Sequence, residues 1–453
     1  MARPLRAQLR RGVSDALLGA VALAVALCGV ASSARASVFD SFGLGSRGVG
    51  MAGALTAASV DYAATFYNPA DLLSRRRTHG GLGFVWLSPH FTIDRDLRDS
   101  PHASVLPEQN FGVVLGLSAP LGGIFDRKVA LGFALYLPLR RYTRAQFDDY
   151  RSPQLYLHDN LADKLLLTFG GAVEIVPWLR IGAGFQLLAN LNGTADFQMD
   201  LVDGRLENEE LSIDLHADLA ATAGIAVEPL PGFELAVAYR QDLEFQFALP
   251  VTADIDEFGR LEFVLRGTSL YTPHQIAFGA SYRVPMRYPL TIAADLTWAM
   301  WSLAPSPSPD VAFSIDGKGL LGENSGTKPL IGAVATAAPT QSKDILVTRL
   351  GLELEVDDWH VRAGYAYRPT PLPRPVADAN FVDSDTHMIA LGAQWTFRSE
   401  VLRRRKLLGI GLGLQAAILE PRRVDKVDPA DDTGGYRASG AVLNLTLDIS
   451  HDF

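Results

Sequence analysis

The sequence predicts an all-β protein, a transmembrane antiparallel β-barrel of about 14 strands with an N-terminal plug in its lumen. Hydrophobic residues make up 48% of the chain. Beyond the N-terminal region, however, no stretch approaches the roughly 18 consecutive apolar residues of a membrane-spanning helix. Segments that alternate apolar and polar residues take the place of such helices. A period of two is typical of barrels that face lipid outside and a polar lumen inside.

Residues 1–36 predict a secretory signal peptide. An apolar run over residues 16–31 precedes a small-residue cleavage pattern at Ala34-Arg35-Ala36. The basic residues before the run are Arg3, Arg6, Arg10 and Arg11. A transmembrane anchor is the alternative, but the run is short for a span and a cleavage pattern follows it. The single cysteine, Cys28, lies in this segment, so we expect no disulfide, thiolate metal site or catalytic cysteine.

The charge of the chain argues against nucleic acid as a partner. Residues 1–36 carry five arginines and one aspartate, so their removal changes the formal net charge from −9 to about −13. The length would allow two soluble domains, but no low-complexity linker divides the chain. A single large barrel is the better interpretation.

A segment rich in glycine and alanine, residues 42–72, predicts a plug rather than a strand or a core helix. Small residues let it lie close against other backbone, at the entropic cost that glycine carries. Asn68 is placed to cap a helical turn that begins at Pro69, with Asp71 three residues after the cap. We expect the plug over residues 37–78 and the barrel over residues 79–453.

The alternating segments are even in number, as single-chain bacterial barrels require. They lie near residues 80–93, 108–119, 128–139, 163–176, 178–198, 209–228, 232–249, 271–284, 289–301, 345–357, 359–368, 384–398, 406–419 and 438–453. Connections alternate between short ones, such as residues 357–358, and long ones, such as residues 140–162 and 303–344. Short turns face the periplasm in this class, which places the plug and Phe453 on the periplasmic side.

The parity of each segment predicts which side chains face lipid. In the last segment Leu445 and Leu447 are expected to face lipid, and Asn444 and Thr446 the lumen. Across residues 232–249 the apolar residues of one parity, Leu243 among them, are expected to face outward. Glycines within the segments fall almost entirely on the inward parity, where they would leave volume for the plug. Reservation of the lipid face for large apolar residues would produce part of the same pattern.

Three motifs in order along the chain resemble the FadL family of outer-membrane channels for long-chain fatty acids and other hydrophobic molecules. The first is the family's hatch. Its matching positions here are Gly45, Ser46, Arg47, Gly48, Asp61, Asn68, Pro69 and Ala70. Residues 359–373 and 383–397 resemble the late strands of that family, and the chain ends on Phe453.

The resemblance implies a passive channel in the outer membrane of a Gram-negative bacterium, not an enzyme, with no cofactor and no metal. It implies a hydrophobic small molecule as ligand (a fatty acid, an alkane or an aromatic compound) and contact with outer-membrane lipid. It also implies the barrel-assembly machinery as a partner, with Phe453 as part of the assembly signal. In the family a change in the hatch opens a path through a kinked third strand into the bilayer.

The same resemblance leads to two sets of candidate site residues. Gly132 and Pro138 lie in the third segment and would break its ladder pairing, although an ordinary strand end at Pro138 is equally consistent. Arg362 and Arg368 face inward by parity. They would meet a ligand carboxylate or pair with the inward acids Glu353 and Glu355.

Two other functions compete with transport. A barrel of this kind would also serve as a scaffold for a secreted protein partner. The loop aromatics Tyr142, Phe147, Tyr150 and Tyr156 favour transport, although such residues also shield loops. An outer-membrane lipid hydrolase is disfavoured because no nucleophile motif is present. Residues 43–48 match G-x-G-x-x-G but have no preceding strand and no βαβ unit, so a dinucleotide site is not expected.

Overall fold

The computed structural model describes residues 38–97, 101–140, 151–155, 157–158, 165–200, 205–254, 260–305, 310–316, 330–335, 341–375, 380–399, 406–426 and 432–453. The predicted signal peptide and the four loop aromatics lie outside these residues. Within them, no helix combines the length and the apolar character needed to cross a membrane.

Twenty strands make up the described β structure. In chain order they are β1 (His79–Arg95), β2 (Asn110–Pro120), β3 (Val129–Pro138), β4 (Gln154–Leu155), β5 (Leu166–Val176), β6 (Leu179–Asp200), β7 (Arg205–Leu230), β8 (Phe233–Arg240), β9 (Leu243–Asp254), β10 (Arg260–Thr272), β11 (Gln275–Val284), β12 (Leu290–Ala299), β13 (Asp310–Asp316), β14 (Leu330–Ala335), β15 (Ile345–Val356), β16 (Trp359–Arg368), β17 (Phe381–Val382), β18 (Thr386–Ser399), β19 (Lys406–Val424) and β20 (Tyr436–Asp452).

Fourteen of these strands form a closed antiparallel barrel, which confirms the predicted fold class. Around the barrel their order is β1, β2, β3, β5, β6, β7, β8, β11, β12, β15, β16, β18, β19 and β20. The last strand closes on the first, with His79 opposite Asp452 and Arg95 opposite Tyr436. Tight turns join alternate strands, for example between β15 and β16, where Asp357 has a left-handed φ of 52°.

The segment predicted as one strand over residues 232–249 is two strands, and this prediction was wrong. β8 pairs with β11 in the barrel wall and ends at Arg240. The chain then continues as β9, which pairs with β10 beyond the long-loop end of the barrel. Leu243, expected on the lipid face, is 4% exposed. A period of two continues through the break, so alternation alone does not show where a strand leaves the barrel wall. β10 and β13 also pair, and β14 extends this outer sheet within residues 303–344.

The predicted register of the last strand is confirmed. Leu447 is 45% exposed on the barrel surface, whereas Asn444 and Thr446 are 2% and 1% exposed. Trp359 and Trp395 stack on the outside at the short-turn end, with ring centroids 6.1 Å apart. Such outward aromatics form the girdle at a membrane interface.

The inward face is not polar along its whole length, so the expectation of a polar lumen holds for only part of the barrel. Towards the long-loop end, the inward side chains are large and apolar. They include Leu87, Phe91, Tyr136, Leu166, Leu188, Ile345, Val347, Met388, Leu419 and Val442. We call this region the apolar outer lumen.

Residues 38–74, the plug, lie inside the barrel. They form three short helices, α1 (Val38–Phe42), α2 (Gly45–Gly50) and α3 (Ala64–Tyr67), and a 3-10 helix (Pro69–Leu73). Two further 3-10 turns, Gly123–Phe125 and Trp301–Leu303, lie in connections. α2 packs against β18, β19 and β20, and the Pro69–Leu73 helix against β5, β6 and β7, so the plug spans the lumen from wall to wall.

Candidate functional site

The inward glycines of the barrel form the surface on which the plug rests. A Cβ added at Gly182 would lie 2.4 Å from the backbone nitrogen of Ala70, and one at Gly364 would lie 2.4 Å from the carbonyl carbon of Met51. Contacts this short leave no room for a side chain. Other inward glycines that touch the plug are Gly116, Gly132, Gly170, Gly224, Gly279, Gly351, Gly392, Gly411 and Gly413. The plug and the glycines are therefore complementary surfaces.

The first hatch motif is fixed to β15 and β20 by charged groups. Gly45 has a left-handed φ of 73° and begins α2, which points the backbone N–H of Ser46 at Asp448 Oδ2, 2.7 Å away. Arg47 donates from Nε and Nη2 to the two carboxylate oxygens of Glu353, both at 3.0 Å. Arg362 donates to the same carboxylate at 2.5 Å. Two buried acids, Asp448 and Glu353, thus join the plug to the wall.

Gly48 and Asp61 shape the plug itself. A Cβ at Gly48 would lie 2.7 Å from the hydroxyl of Tyr67, and that hydroxyl accepts a hydrogen bond from the N–H of Leu44 at 3.0 Å. Burial raises the pKa of Tyr67 to about 12, so the phenol stays neutral. Asp61 accepts from the N–H of Ala63 at 2.8 Å, which starts the turn before α3.

Asn68 caps the turn that begins at Pro69, as its position in the sequence predicts. Its Oδ1 accepts from the N–H of Ala70 at 3.1 Å, although the turn is a 3-10 helix. Its Nδ2 donates to the carbonyl of Thr56 at 2.9 Å, which ties two parts of the plug together. Gly224 lies directly opposite, and a Cβ there would overlap Asn68 Oδ1. Asn68 is fully buried.

A charged cluster anchors the periplasmic side of this turn. Asp71 is 0% exposed, and its carboxylate lies 3.4 Å from Nη2 of Arg180, which also donates to Glu234. Burial raises the pKa of Asp71 above its ordinary value, and the nearby Glu234 raises it further, while Arg180 opposes both. Two acids therefore share one guanidinium here.

The outer side of the plug carries an ion pair that the sequence analysis missed. Asp40 of α1 accepts from Arg240 at 2.6 Å and from Gln275 at 2.9 Å. Phe39 beside it packs edge-on against Phe66 and Tyr136, with ring centroids 5.3 and 5.8 Å apart. α1 thus occupies the base of the apolar outer lumen. The inward parity of Arg240 was the available signal, but parity gives no depth.

Both candidate arginines bind acids of the protein. Arg362 pairs with Glu353, one of the two partners considered from sequence. Arg368 pairs with neither acid considered, because its Nη2 lies 3.1 Å from Oδ1 of Asp383 at the outer mouth. The two arginines lie at opposite ends of the lumen and do not form one head-group site in this structure.

The third strand is continuous in this structure. β3 pairs with β2 from Pro120↔Ala130 to Gly112↔Pro138 and with β5 from Val129↔Val173, with no register shift on either side. The predicted break of ladder pairing at Gly132 is therefore absent, and Pro138 is the strand's last residue. The glycine has another role, because a Cβ there would lie 2.6 Å from Leu72 of the plug.

A polar cavity of about 260 Å³ lies beneath the plug at the periplasmic end. It is lined by both signs of charge, including Arg75, Arg283, Asp448 and Asp452. Glu353, Glu355 and His360 also face it, with ligand atoms within 4.8 Å of one another. Both oxygens of Glu353 already accept from arginines, so guanidinium groups stand where a metal ion would bind. Phe453 lies at the same end, with its N–H bonded to the carbonyl of Thr78 at 2.9 Å.

The fold and lumen define a plugged β-barrel of the outer membrane whose outer lumen is packed with apolar side chains. Residues 27–402 match the family model described as outer membrane protein transport protein (OMPP1/FadL/TodX). The chain belongs to this family, and it is an outer-membrane protein of the Gram-negative type.

Named relatives agree with this assignment. The chain is 24% identical to alkane uptake protein A of Marinobacter nauticus, over 98% of this chain and 97% of the relative. It is similar in fold to a Pseudomonas aeruginosa FadL homologue, with a TM-score of 0.59, 16% identity and coverage of 94% and 100% of the two chains. The Pseudomonas putida toluene transporter TodX gives a TM-score of 0.58, 16% identity and coverage of 91% and 99%.

Proposed function

We propose that this protein is a passive channel for uptake of hydrophobic compounds across the outer membrane. The observation that carries the proposal is the apolar outer lumen, closed below by a plug that rests on glycines. Leu87, Phe91, Leu166 and Leu188 belong to one packed apolar cluster there, and an apolar ligand that entered between them would gain roughly 25 cal/mol for each Å² of apolar surface it buried. Relatives named for alkane uptake and toluene transport support the same class of ligand.

Within this class, the charges favour uncharged compounds such as alkanes or aromatics over long-chain fatty acids. Among the described residues of the outer lumen, Arg240 binds Asp40 and Arg368 binds Asp383. Arg422 donates to the backbone carbonyls of Leu372 and Asp383. A fatty-acid carboxylate would have to displace one of these partners or reach Arg349 beside Asp40, which donates to the Thr297 hydroxyl at 2.8 Å, whereas a hydrocarbon requires no cation.

The proposed path requires a rearrangement of the plug and leaves the barrel sideways next to β3. Leu72 and Thr65 of the plug lie against Gly132, and Pro69 and Leu72 lie against Gly170 on β5. Withdrawal of the Pro69–Leu73 helix would leave a gap lined by glycine at this part of the wall. Pro138 at the outer end of β3 offers no N–H to the ladder, which limits the pairing that must be broken there.

A reversible lock tests the rearrangement. The hydroxyls of Thr65 and Thr168 lie 2.6 Å apart, so Thr65→Cys together with Thr168→Cys would place two thiols where a disulfide fits. Uptake of hexadecane, toluene and palmitate would be measured in cells without their own transporter. The oxidised variant should stop uptake, and reduction should restore it.

Each single cysteine variant is the matched control and should transport under both conditions. Equal uptake by the oxidised and reduced double variant would overturn the plug rearrangement. If the wild type takes up none of the three compounds and retains a protein partner on purification, the proposed channel function is wrong and the scaffold alternative holds. Preference for palmitate over hexadecane would contradict the choice of uncharged ligands.

A further inference from the structure

A lid made from two loops closes the outer mouth of the barrel. We define the outer lid as residues 151–155 and 157–158, before β5, together with residues 380–385, before β18. β4 and β17 pair in parallel within it, with the N–H of Gln154 bonded to the carbonyl of Asn380 at 3.1 Å. Its own apolar residues Leu155, Leu157, Phe381 and Val382, and Leu372 outside it, are each 2% exposed or less. The lid therefore separates the apolar outer lumen from the outside.

Neighbouring loops hold the lid at two further points. The carbonyl of Arg151 accepts from Asn380 Nδ2 at 2.7 Å and from Thr433 Oγ1 at 3.2 Å. The N–H of Val105 donates to the carbonyl of Pro153 at 3.0 Å. All of these are neutral contacts, so they do not change with pH.

The charged part of the lid is a buried cluster around Asp383. This acid is 0% exposed and accepts from Arg368 at 3.1 and 3.4 Å. His158 joins the cluster from the other loop, with Nε2 3.3 Å from Arg368 Nη2 and 3.7 Å from Asp383 Oδ1. Its ring also lies against Phe91 of β1, with centroids 5.2 Å apart.

The geometry favours a neutral His158 in the closed lid. Because Arg368 carries only donors, Nε2 must accept, which places the ring's proton on Nδ1. Nδ1 is buried and has no hydrogen-bond partner. A second proton on Nε2 would lie nearer to the guanidinium of Arg368, 3.3 Å away, than to the carboxylate of Asp383, 3.7 Å away, and the histidine is only 7% exposed. Of the described residues that face this ring, Arg368 on β16 and Asp383 in the loop carry charge, and Phe91 on β1 does not.

We propose that His158 is an acid-sensitive latch, which holds the outer lid closed while neutral and releases it when protonated. The inference rests on the lid geometry. Only its consequence for uptake rests on the proposed transport function.

The direction in which lid closure changes with pH follows from the pKa of His158 in the closed and the open lid. Burial, and after it the charge of Arg368, lower the pKa of His158 in the closed lid to about 3, against the opposing effect of Asp383. An exposed histidine in an open lid has its ordinary pKa of about 6.5. The contribution of His158 to closure is therefore fully present above about 6.5 and is lost as the pH falls towards 3. From about pH 7.5 to about pH 5.5, the ratio of open to closed lid should rise about tenfold.

Lid position can be measured without transport. Nitroxides on Arg151→Cys in the lid and Leu346→Cys on the lipid face of β15, with Cys28 absent, give one distance by double electron–electron resonance. We expect a second, longer distance to gain population at about pH 5.5 in the wild-type background. His158→Phe, and independently His158→Gln, should remove this pH dependence. A distance distribution that is unchanged between the two pH values in the wild-type background would overturn the latch.

A transport measurement tests whether opening of the lid increases uptake. Uptake of pyrene, which does not titrate, should be faster at the lower pH in wild type and equal at both in His158→Phe. His387→Gln is the matched control, because His387 lies on the outer surface against Tyr365 and Glu420 and should leave the pH dependence intact. Retention of the dependence in both His158 variants would assign it to another group. A lid that opens in acid without any pyrene uptake would uphold the latch and contradict the proposed function.

Discussion

Gly182→Ala tests whether the plug is seated by glycines. The added Cβ would meet the backbone of Pro69 and Ala70 at 2.4 Å, and backbone in a capped turn cannot move aside as a side chain tip can. Overpacking of this kind costs about 1 to 3 kcal/mol. The ratio of seated to unseated plug should therefore fall between about 5-fold and about 150-fold. The barrel ladder is untouched, so its assembly should be unchanged.

The assay is ion conductance of single channels in a planar bilayer, with heat-modifiable migration on gels as the measure of barrel assembly. Gly171→Ala is the matched control on β5. Its Cβ would lie 3.2 Å from the end of the Leu131 side chain and at an ordinary contact distance of 3.6 Å from the carbonyl oxygen of Ala130. Gly182→Ala should conduct more often than wild type, and Gly171→Ala should not. If both variants conduct like wild type, the seat described for the Pro69–Leu73 helix is wrong.

Three further changes test the cap, the register and the end of the chain. Asn68→Ala should lose about 1 kcal/mol of capping, leave assembly nearly intact and alter hydrocarbon uptake; normal uptake would mean that the cap only anchors the plug. Leu447→Arg should cost about 2 to 4 kcal/mol near the bilayer midplane, whereas Ser450→Arg, which points into the periplasmic cavity, should fold; equal tolerance in a barrel-folding assay contradicts the register. Deletion of Phe453 should reduce the amount of assembled barrel, and unchanged assembly would place the signal elsewhere.

Strand number and register were predictable because each depends on a local pattern. A one-residue slip would move the outward leucines and isoleucine of β20 from lipid to lumen, so parity alone separates Leu447 from Thr446. The Asn68 cap was predictable for the same reason, since donor and acceptor lie two residues apart.

The contacts of the site were less predictable because they join residues far apart in the sequence. Arg47 and Glu353 meet across the lumen, and Arg368 meets Asp383 because a loop folds back over the mouth. Parity gave the direction of these side chains but neither their height in the barrel nor the path of the loops. The sequence analysis did not predict the apolar outer lumen for the same reason. Leu87 and Leu166 share a parity with polar residues nearer the periplasmic ends of their strands.

The surroundings that the lumen offers to a solute change along its axis, from apolar on the outer side of the plug to charged on the periplasmic side. A hydrocarbon at the plug has apolar side chains above it and the charged periplasmic cavity, lined by Arg75, Asp448 and Asp452, below it. At about 0.8 kcal/mol for each CH₂ group returned to water, a hexadecane molecule would lose on the order of 10 kcal/mol by moving straight down. The surrounding bilayer imposes no such loss. If the barrel carries a hydrocarbon as proposed, the free energy of that solute would therefore be lower in the bilayer than in the periplasmic cavity.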